Sequence, residues 1–405
     1  MLSAQARPLI AATVPILREH GLAITRHFYQ RMLGEHPELK NLFNQGNQAG
    51  GEQQQALAGA VYAYAANIDR PEVLGPVLER IAHKHASLGI TPAQYTIVGK
   101  HLLASIGEVL GDAVTPAIAA AWDEAYWLLA VELIAREARL YHAASLTPDS
   151  HWQQLKVVAR QPQGELAESF TLAREDGLPL PAFRPGQYVS VALNLPAGGL
   201  RQIRQYSLSG APGDANWQIT VKRESGDGER PAGAVSNLLL DTVKRGDLLD
   251  VGPAFGDFVL DDAETGPVVL ISAGVGVTPM VSMLHALSRA QQHRPVVFVH
   301  AARNGRQHVL RDAVAELAER HPGVEQIVFY EVPHADDRDG VDYDYKGRMA
   351  LDTIRDAVIL PDASYYLCGP LPFMREQRRA LMDCGVDVER IRYEVFGPDL
   401  LTGMA

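Results

Sequence analysis

The spacing of apolar residues changes twice along this chain of 405 residues, and these changes divide it into three parts. In residues 1–146, apolar side chains recur every three or four positions, which is the pattern of amphipathic helices. From there to about residue 262, apolar and polar residues alternate, as in half-buried strands. Farther on, short apolar runs are separated by helical segments. A chain of this length with three such patterns must fold into more than one domain.

Each pattern predicts a different class of domain. Helical spacing throughout the first part predicts an all-α domain, and alternation with clustered glycines and prolines predicts a small antiparallel barrel. Short apolar strands between helices predict a parallel sheet with helical crossovers. The predicted order is an all-α domain at 1–146, a linker at 147–151, an antiparallel β-barrel at 152–262 and an α/β parallel-sheet domain at 263–405.

The composition limits the class of function. A net charge of −11 at pH 7 argues against nucleic-acid binding, which usually requires a basic face. Two cysteines, Cys368 and Cys384, are too few for a disulfide framework and favour a reducing compartment. The apolar run from Arg7 to Leu17 passes into Arg18 without a cleavage site, which predicts a first helix rather than a signal peptide. We therefore expect a cytoplasmic protein without stable membrane insertion.

Two histidines, His83 and His85, flank Lys84 in a predicted helix. Residues two apart on a helix point in nearly opposite directions, so these histidines are not expected to share one metal ion. His85 continues the apolar stripe of Leu78 and Ile81, whereas His83 does not. A buried histidine needs a hydrogen bond or a metal. By spacing alone, His85 is either a satisfied core histidine or a single axial metal ligand.

The first part resembles a globin, on its all-helical pattern, its length and the segment HPELKNLFN at residues 36–44, which predicts a helix corner. The resemblance implies a haem pocket in which His85 is the proximal iron ligand and Phe43 packs on the haem. It places Tyr29 and Gln53 on the distal side, as hydrogen-bond donors to bound dioxygen. Further haem-pocket positions implied in the same way are Leu57 and Val98.

Three more residues match positions characteristic of the bacterial flavohaemoglobins, namely Lys84, Tyr95 and Glu137. That resemblance implies that the carboxylate and the phenol form hydrogen bonds around the proximal imidazole. A carboxylate that accepts from the second imidazole N–H raises the basicity of the ring. The proximal side is therefore expected to favour oxygen activation over reversible oxygen carriage.

The segment RQYS, Arg204 to Ser207, follows PGQYVSV by one strand and a turn. This pairing resembles the flavin domain of ferredoxin-reductase-like enzymes. The resemblance implies that Arg204 binds the FAD pyrophosphate, that Tyr206 lies along the flavin and that Ser207 reaches its N5 edge. A helix starting near Gly233 and Ser236 would add phosphate-binding amides. The remaining FAD contacts implied in this domain are Tyr188 and Gln205.

The last part contains G-x-G-x-T-P after an apolar strand, which differs from the G-x-G-x-x-G of common dehydrogenases. It resembles the NAD(P) motif of the same reductase modules. The implied NAD(P) contacts are Gly274, Val275, Gly276, Val277, Thr278, Pro279, Arg303, Cys368, Gly369 and Pro370. The segment YEVFGP implies further FAD contacts at Glu394, Val395, Phe396, Gly397 and Pro398. Arg303 and Arg306 could accept a 2′-phosphate or pack on adenine, so the choice between NADH and NADPH stays open.

A globin followed by a flavin reductase resembles the flavohaemoglobin family over essentially the full length. The resemblance implies haem b, FAD and NADH or NADPH as cofactors. It also implies an activity in which NAD(P)H reduces FAD, FAD reduces haem, and nitric oxide and dioxygen are converted to nitrate. FAD is needed between the two, because hydride carries an electron pair whereas haem iron accepts single electrons.

Two other functions fit the same residues. A hydroperoxide reductase or a flavin-dependent metal reductase would use the same electron path. An oxygen or redox sensor globin is disfavoured, because no kinase, cyclase or DNA-binding output segment is visible. We expect a monomer with O2 and NO as small-molecule partners, and a lipid or other hydrophobic ligand in the haem pocket stays open.

Overall fold

The computed structural model describes residues 2–43, 46, 48, 50–146, 150–196, 199–226, 231–261, 263–290 and 294–397. Its first part is helical, as predicted, and Pro37–Asn41 and Pro71–Leu74 form short 3-10 turns between helices. The helices are α1 Ala6–Ala12, α2 Val14–Glu35, α3 Glu52–Ala66, α4 Gly75–Leu88, α5 Pro92–Leu110 and α6 Pro116–Ala143. Residues 147–149 of the predicted linker lie outside the described part, and the domain boundaries stay predictions.

The prediction of one continuous first helix through Leu17 is wrong. Helix α1 ends at Ala12, and α2 begins at Val14 with a proline in its first turn. Proline lacks the backbone N–H that a continuing helix would need, and its ring clashes with the preceding turn. The Thr13 hydroxyl donates to the Ile10 carbonyl at 2.6 Å, so both of these polar groups have a partner at the break.

The second part is the predicted antiparallel barrel. Its strand order is β4-β3-β6-β1-β2-β5, and the bridge between Leu208 and Ile219 joins the two ends of that order. Alternate residues such as Val189 and Val191 point into a fully buried core. The strands are β1 Gln153–Pro162, β2 Ala167–Ala173, β3 Tyr188–Asn194, β4 Arg201–Ser207, β5 Trp217–Lys222 and β6 Leu248–Val251, with helix α7 at Ala234–Thr242.

The third part is a parallel sheet in the order β10-β9-β8-β7-β11-β12. Leu270 of this sheet packs on one hydrophobic cluster and Ile271 on another, so both faces are covered. Burial on both faces explains why these strands are apolar without alternation. The elements are β7 Val268–Ala273, α8 Val277–Arg289, β8 Val296–Ala302, α9 Arg311–Arg320, β9 Val324–Tyr330, β10 Tyr345–Lys346, α10 Arg355–Val358, β11 Ser364–Cys368, α11 Leu371–Asp383 and β12 Ile391–Glu394.

Among the helices of the described residues, none combines the length and the apolar character needed to cross a membrane.

Candidate functional site

His85, in the last turn of α4, lies in a cluster with a phenol and a carboxylate. Its Nδ1 is 2.9 Å from Glu137 Oε1 and 2.9 Å from the Tyr95 hydroxyl. Glu137 is 2% exposed, and the Tyr95 hydroxyl donates a short hydrogen bond to the same carboxylate. A carboxylate oxygen can accept from Nδ1–H, and in that tautomer the lone pair of Nε2 is available to a metal. The donor set therefore fits a haem-iron ligand whose second nitrogen is held by a carboxylate.

Burial, together with the charge of Glu137, raises the pKa of Tyr95 far above its usual value. The phenol therefore stays protonated and donates to the carboxylate throughout the neutral range. This holds Glu137 in place as the acceptor for His85.

The end of α4 brings this cluster together. Gly89 follows the helix with φ +72°, a left-handed conformation that glycine adopts without strain. Helix α5 then begins with a capping box, in which the Thr91 backbone N–H donates to Gln94 Oε1 at 2.8 Å. The turn folds Tyr95, in the first turn of α5, back towards His85.

Two residues that support Tyr95 were not found by sequence reasoning. The Tyr126 hydroxyl donates to the Tyr95 carbonyl at 2.5 Å. A Cβ added to Gly99 would lie 2.3 Å from Cε1 of Tyr126, so only glycine admits this ring beside α5. Gly99 reads as an ordinary interruption of helical spacing, and no sequence signal indicates its contact.

The predicted distal residues lie together. Tyr29 is 7% exposed, shares a hydrogen bond with the Gln53 side chain and packs edge-on against Phe43, with ring centroids 5.5 Å apart. Burial raises the pKa of Tyr29, so its phenol stays a hydrogen-bond donor. Leu57 and Val98 pack against the hydrophobic cluster that contains both Tyr29 and Tyr95.

The predicted flavin residues lie on the neighbouring strands β3 and β4. Tyr188 pairs with Ser207, and the next pairs along these strands bring Tyr206 and then Gln205 alongside β3. Arg204 is half-buried, and burial lowers its pKa from the usual value. A desolvated guanidinium on this surface suits a phosphate-bearing ligand.

Gly233 and Ser236 lie at the start of α7, as predicted, with Gly233 as the N-cap. Helix α7 packs against β4 and β5, so it lies next to the strand that carries Arg204, Gln205 and Tyr206. A Cβ at Gly233 would lie 2.4 Å from Ser236 Oγ, so a larger residue at this position would crowd the Ser236 side chain. The N-terminus of a helix is suited to bind the negative charge of a pyrophosphate.

The two predicted nucleotide loops are in contact. Strands β7 and β11 are parallel neighbours, with Ser272 opposite Cys368, so Gly274 and Gly369 begin loops at the same sheet edge. A Cβ on Gly276 would lie 2.4 Å from the Cys368 carbonyl oxygen, so this glycine allows the loops to meet. Three motif residues, Val277, Thr278 and Pro279, are buried at the start of α8, Val275 is half-buried, and Pro370 is the N-cap of α11.

The C-terminal group follows β12. Glu394 lies opposite Cys368 in the sheet, and burial raises the pKa of the Cys368 thiol. Phe396 is 48% exposed, so this ring is not a core residue. Val395 and Gly397 are half-buried, whereas Pro398 lies outside the described residues.

Arg303 and Arg306 follow β8 and are exposed. Arg306 forms ion pairs with Asp336 at 3.1 Å and with Glu165 at 3.5 Å. Asp337 accepts from the Gly305 backbone N–H at 3.1 Å. The surroundings of Arg306 are therefore acidic.

Known protein families and relatives share this architecture. The model of the globin family matches residues 26–133, and that of the oxidoreductase NAD-binding domain matches residues 270–379. A flavohemoprotein of Bordetella parapertussis is 56% identical over 98% of this chain and 99% of its own length. The chain belongs to the flavohemoprotein family.

Two solved structures support this family assignment. The flavohemoglobin from Malassezia yamatoensis with bound FAD and heme has a TM-score of 0.86 at 32% identity, covering 98% of this chain and 100% of that one. The FAD/NAD-binding domain of nitric oxide dioxygenase from Vibrio cholerae has a TM-score of 0.54 at 36% identity, covering 61% of this chain and 100% of that one. The predicted fold class and family are confirmed, and the predicted cofactors agree with this flavohemoprotein architecture.

In this flavohemoprotein, the two residues before His85 point towards the reductase part. The Gly256 backbone N–H donates to His83 Nδ1 at 3.0 Å, and Lys84 Nζ donates to the Gly397 carbonyl at 2.9 Å. His83 is thus a contact between parts of the chain. Lys84, predicted beside the proximal imidazole, reaches a predicted flavin contact.

Sequence reasoning also missed Ser87, which is fully buried two residues after His85. Gln205 Nε2 donates to Ser87 Oγ at 3.3 Å, and Tyr188 shares a hydrogen bond with the Ser87 side chain. His151 Nε2 is 3.1 Å from the Ser87 carbonyl. The predicted flavin strands therefore contact the predicted haem-ligand helix, although nothing in the segment HAS signals it.

Proposed function

We propose that this chain is a nitric oxide dioxygenase that uses haem, FAD and NADH. Nitric oxide, dioxygen and one electron combine to give nitrate, and nicotinamide hydride supplies the electrons. When bound, haem would supply an iron that activates dioxygen, and FAD would divide the electron pair of the hydride into single electrons. The name of the similar Vibrio cholerae reductase domain supports nitric oxide as the substrate.

The observation that carries the proposal is the hydrogen bond from His85 to the buried carboxylate of Glu137. In the proposed mechanism, His85 Nε2 would hold the haem iron, while Nδ1–H donates to Glu137. This bond makes the imidazole a stronger electron donor, which favours oxygen activation over storage. Tyr95, protonated at neutral pH, keeps the carboxylate oriented.

The distal residues support the same reaction. Tyr29 is buried and protonated, its side chain shares a hydrogen bond with Gln53, and its ring packs edge-on against Phe43. A preorganised donor in a dry pocket stabilises negative charge that develops on a bound diatomic ligand. We assign this role to Tyr29 and the orienting role to Gln53.

The contacts between the reductase residues and α4 support internal electron transfer. Tyr188 and Gln205, both predicted flavin contacts, hydrogen-bond to Ser87, two residues from the proposed iron ligand. Arg80 of the same helix donates to the Tyr393 hydroxyl at 3.1 Å, next to the predicted flavin contact Glu394. The strands that carry the predicted flavin contacts and the end of β12 thus both reach helix α4, which carries the proposed iron ligand.

The test is nitric oxide consumption by the purified holoenzyme supplied with NADH and air. We expect NADH oxidation to accelerate on addition of nitric oxide, with nitrate formed in equal amount to the nitric oxide consumed. Nitric oxide consumption without nitrate, or NADH oxidation indifferent to nitric oxide, would reject the proposal.

We further propose that NADH is preferred to NADPH. A 2′-phosphate near Arg306 would meet Asp336 and Glu165, which already pair with this arginine. Asp336→Ser should shift the ratio of kcat/KM values towards NADPH by about tenfold, equivalent to one charge-assisted hydrogen bond gained. The added substitution Arg306→Ala should cancel that gain. Equal use of both nucleotides by the unmodified enzyme would contradict the assignment.

Hydroperoxide reduction is the second candidate, because electron donation through His85 and Glu137 also favours O–O cleavage. Turnover of an alkyl hydroperoxide with NADH, faster than turnover of nitric oxide, would favour this function.

A further inference from the structure

A second group of metal-ligating side chains lies at the end of α2. Glu35 is the last residue of that helix, His36 follows it, and His101 faces them from α5. One ligand atom from each side chain lies within 4.8 Å of the other two. The proposed haem ligand and the predicted FAD and NAD(P) contacts do not include any of these three residues.

His101 is the residue that points to a ligand. Its side chain is fully buried, and neither ring nitrogen has a hydrogen-bond partner among the described residues. A buried imidazole without partners is costly, and such groups call for an explanation such as an ion. A neutral imidazole has a lone pair that a metal can bind.

The ligand set and its spacing suit zinc. Two imidazoles and one carboxylate, with a fourth position open, are a common set for this ion. His101 Nε2 lies 3.8 Å from Glu35 Oε2, whereas two donors on one tetrahedral zinc are about 3.4 Å apart. The Glu35 side chain is 47% exposed and the His36 side chain 28%, so both can adjust and the position is open to solvent.

Two cations limit the affinity. Lys100 Nζ lies 3.2 Å from Glu35 Oε2, and Arg31 Nη2 lies 3.9 Å from Glu35 Oε1. His36 also shares a contact with Glu38 at 3.2 Å. A metal must displace Lys100 from the carboxylate, and these exposed contacts are individually weak.

We propose that Glu35, His36 and His101 form a binding site for a divalent transition-metal ion of the zinc type. The ion would join the end of α2 to α5. The segment that follows contacts the barrel, because Gln202 Nε2 donates to the Lys40 carbonyl at 3.0 Å and Asn41 Oδ1 accepts from the Arg201 backbone N–H at 3.1 Å. Metal binding would therefore restrain a segment that leads from the barrel contact to Phe43.

The test is equilibrium dialysis of the holoenzyme against zinc, with bound zinc and iron counted by elemental analysis. We expect a bound zinc ion that is weakened by more than about tenfold in Glu35→Gln and in His36→Gln, since even loss of an outer-shell partner has that effect in known sites. Both residues are partly exposed, so these variants should fold. Lys100→Gln should strengthen binding by up to about fivefold, because it removes the competing cation.

The matched control is His20→Ala, since His20 is an exposed histidine of α2 beside Glu19. It should leave zinc binding unchanged. Equal zinc binding by the unmodified enzyme and by Glu35→Gln would overturn the proposal. An equal loss in His20→Ala and in His36→Gln would indicate adventitious binding to surface histidines and would overturn it as well.

Discussion

Replacing His85 with alanine is expected to remove the haem from the purified chain and to abolish nitric oxide consumption. Nε2 is the nitrogen that would hold the iron, because Nδ1 lies 2.9 Å from Glu137, and alanine supplies no ligand atom. The reductase parts contain separate hydrophobic cores, so NADH-dependent reduction of an artificial acceptor should persist. Haem content from the absorption spectrum and acceptor reduction measure the two effects.

The control for this variant is His83→Ala, two positions earlier on the same helix. His83 contacts the Gly256 backbone, so its loss should leave the haem spectrum in place. Added imidazole should partly restore the spectrum of His85→Ala if the defect is the missing ligand rather than misfolding. A normal haem band in His85→Ala without imidazole would exclude His85 as the iron ligand.

The second large effect is expected from Glu137→Gln, which keeps the size of the side chain and an acceptor oxygen but removes the charge. Haem should be retained, while nitric oxide turnover should fall by about 10- to 100-fold, the range for partners of a ligating histidine. Loss of the negative charge beside His85 also destabilises the ferric state, so the midpoint potential should rise. Steady-state turnover and a redox titration measure these changes.

Glu132→Gln is the matched control, because Glu132 is an exposed carboxylate on the same helix, paired with Arg136 at 2.8 Å. An exposed ion pair of this kind contributes little to stability. Its loss should therefore leave the midpoint potential and the turnover of nitric oxide unchanged. If Glu137→Gln behaved like Glu132→Gln in both measurements, the buried carboxylate would have no role in tuning the iron.

Local patterns were sufficient to predict much of the fold. Strands of the parallel sheet lack alternation because both faces are buried, and the capping box at Thr91 is a short-range signal that the structure retains. The break at Thr13 was missed because helical spacing continues across it, although Pro15 was the available signal.

The candidate site was predictable in part. His85 stood out because it continues an apolar stripe, and the motif from Gly274 to Pro279 because glycines follow a strand. Gly276 was predicted as an NAD(P) contact, and the structure shows that the absence of a side chain there lets the Cys368 carbonyl of a neighbouring strand approach. Strand order is not visible in sequence, so that contact could not be foreseen.

Periodicity, turn residues and motif spacing depend on neighbours within a few positions along the chain. These local features alone determined the three classes of domain, their order and His85 as the candidate metal ligand. Pairings between distant segments were decided only by the tertiary structure. Glu137 meets His85 across 52 positions, and Gln205 meets Ser87 across 118. Such contacts arise from how helices and strands pack against one another, a property of the whole folded chain, and no local pattern encodes them.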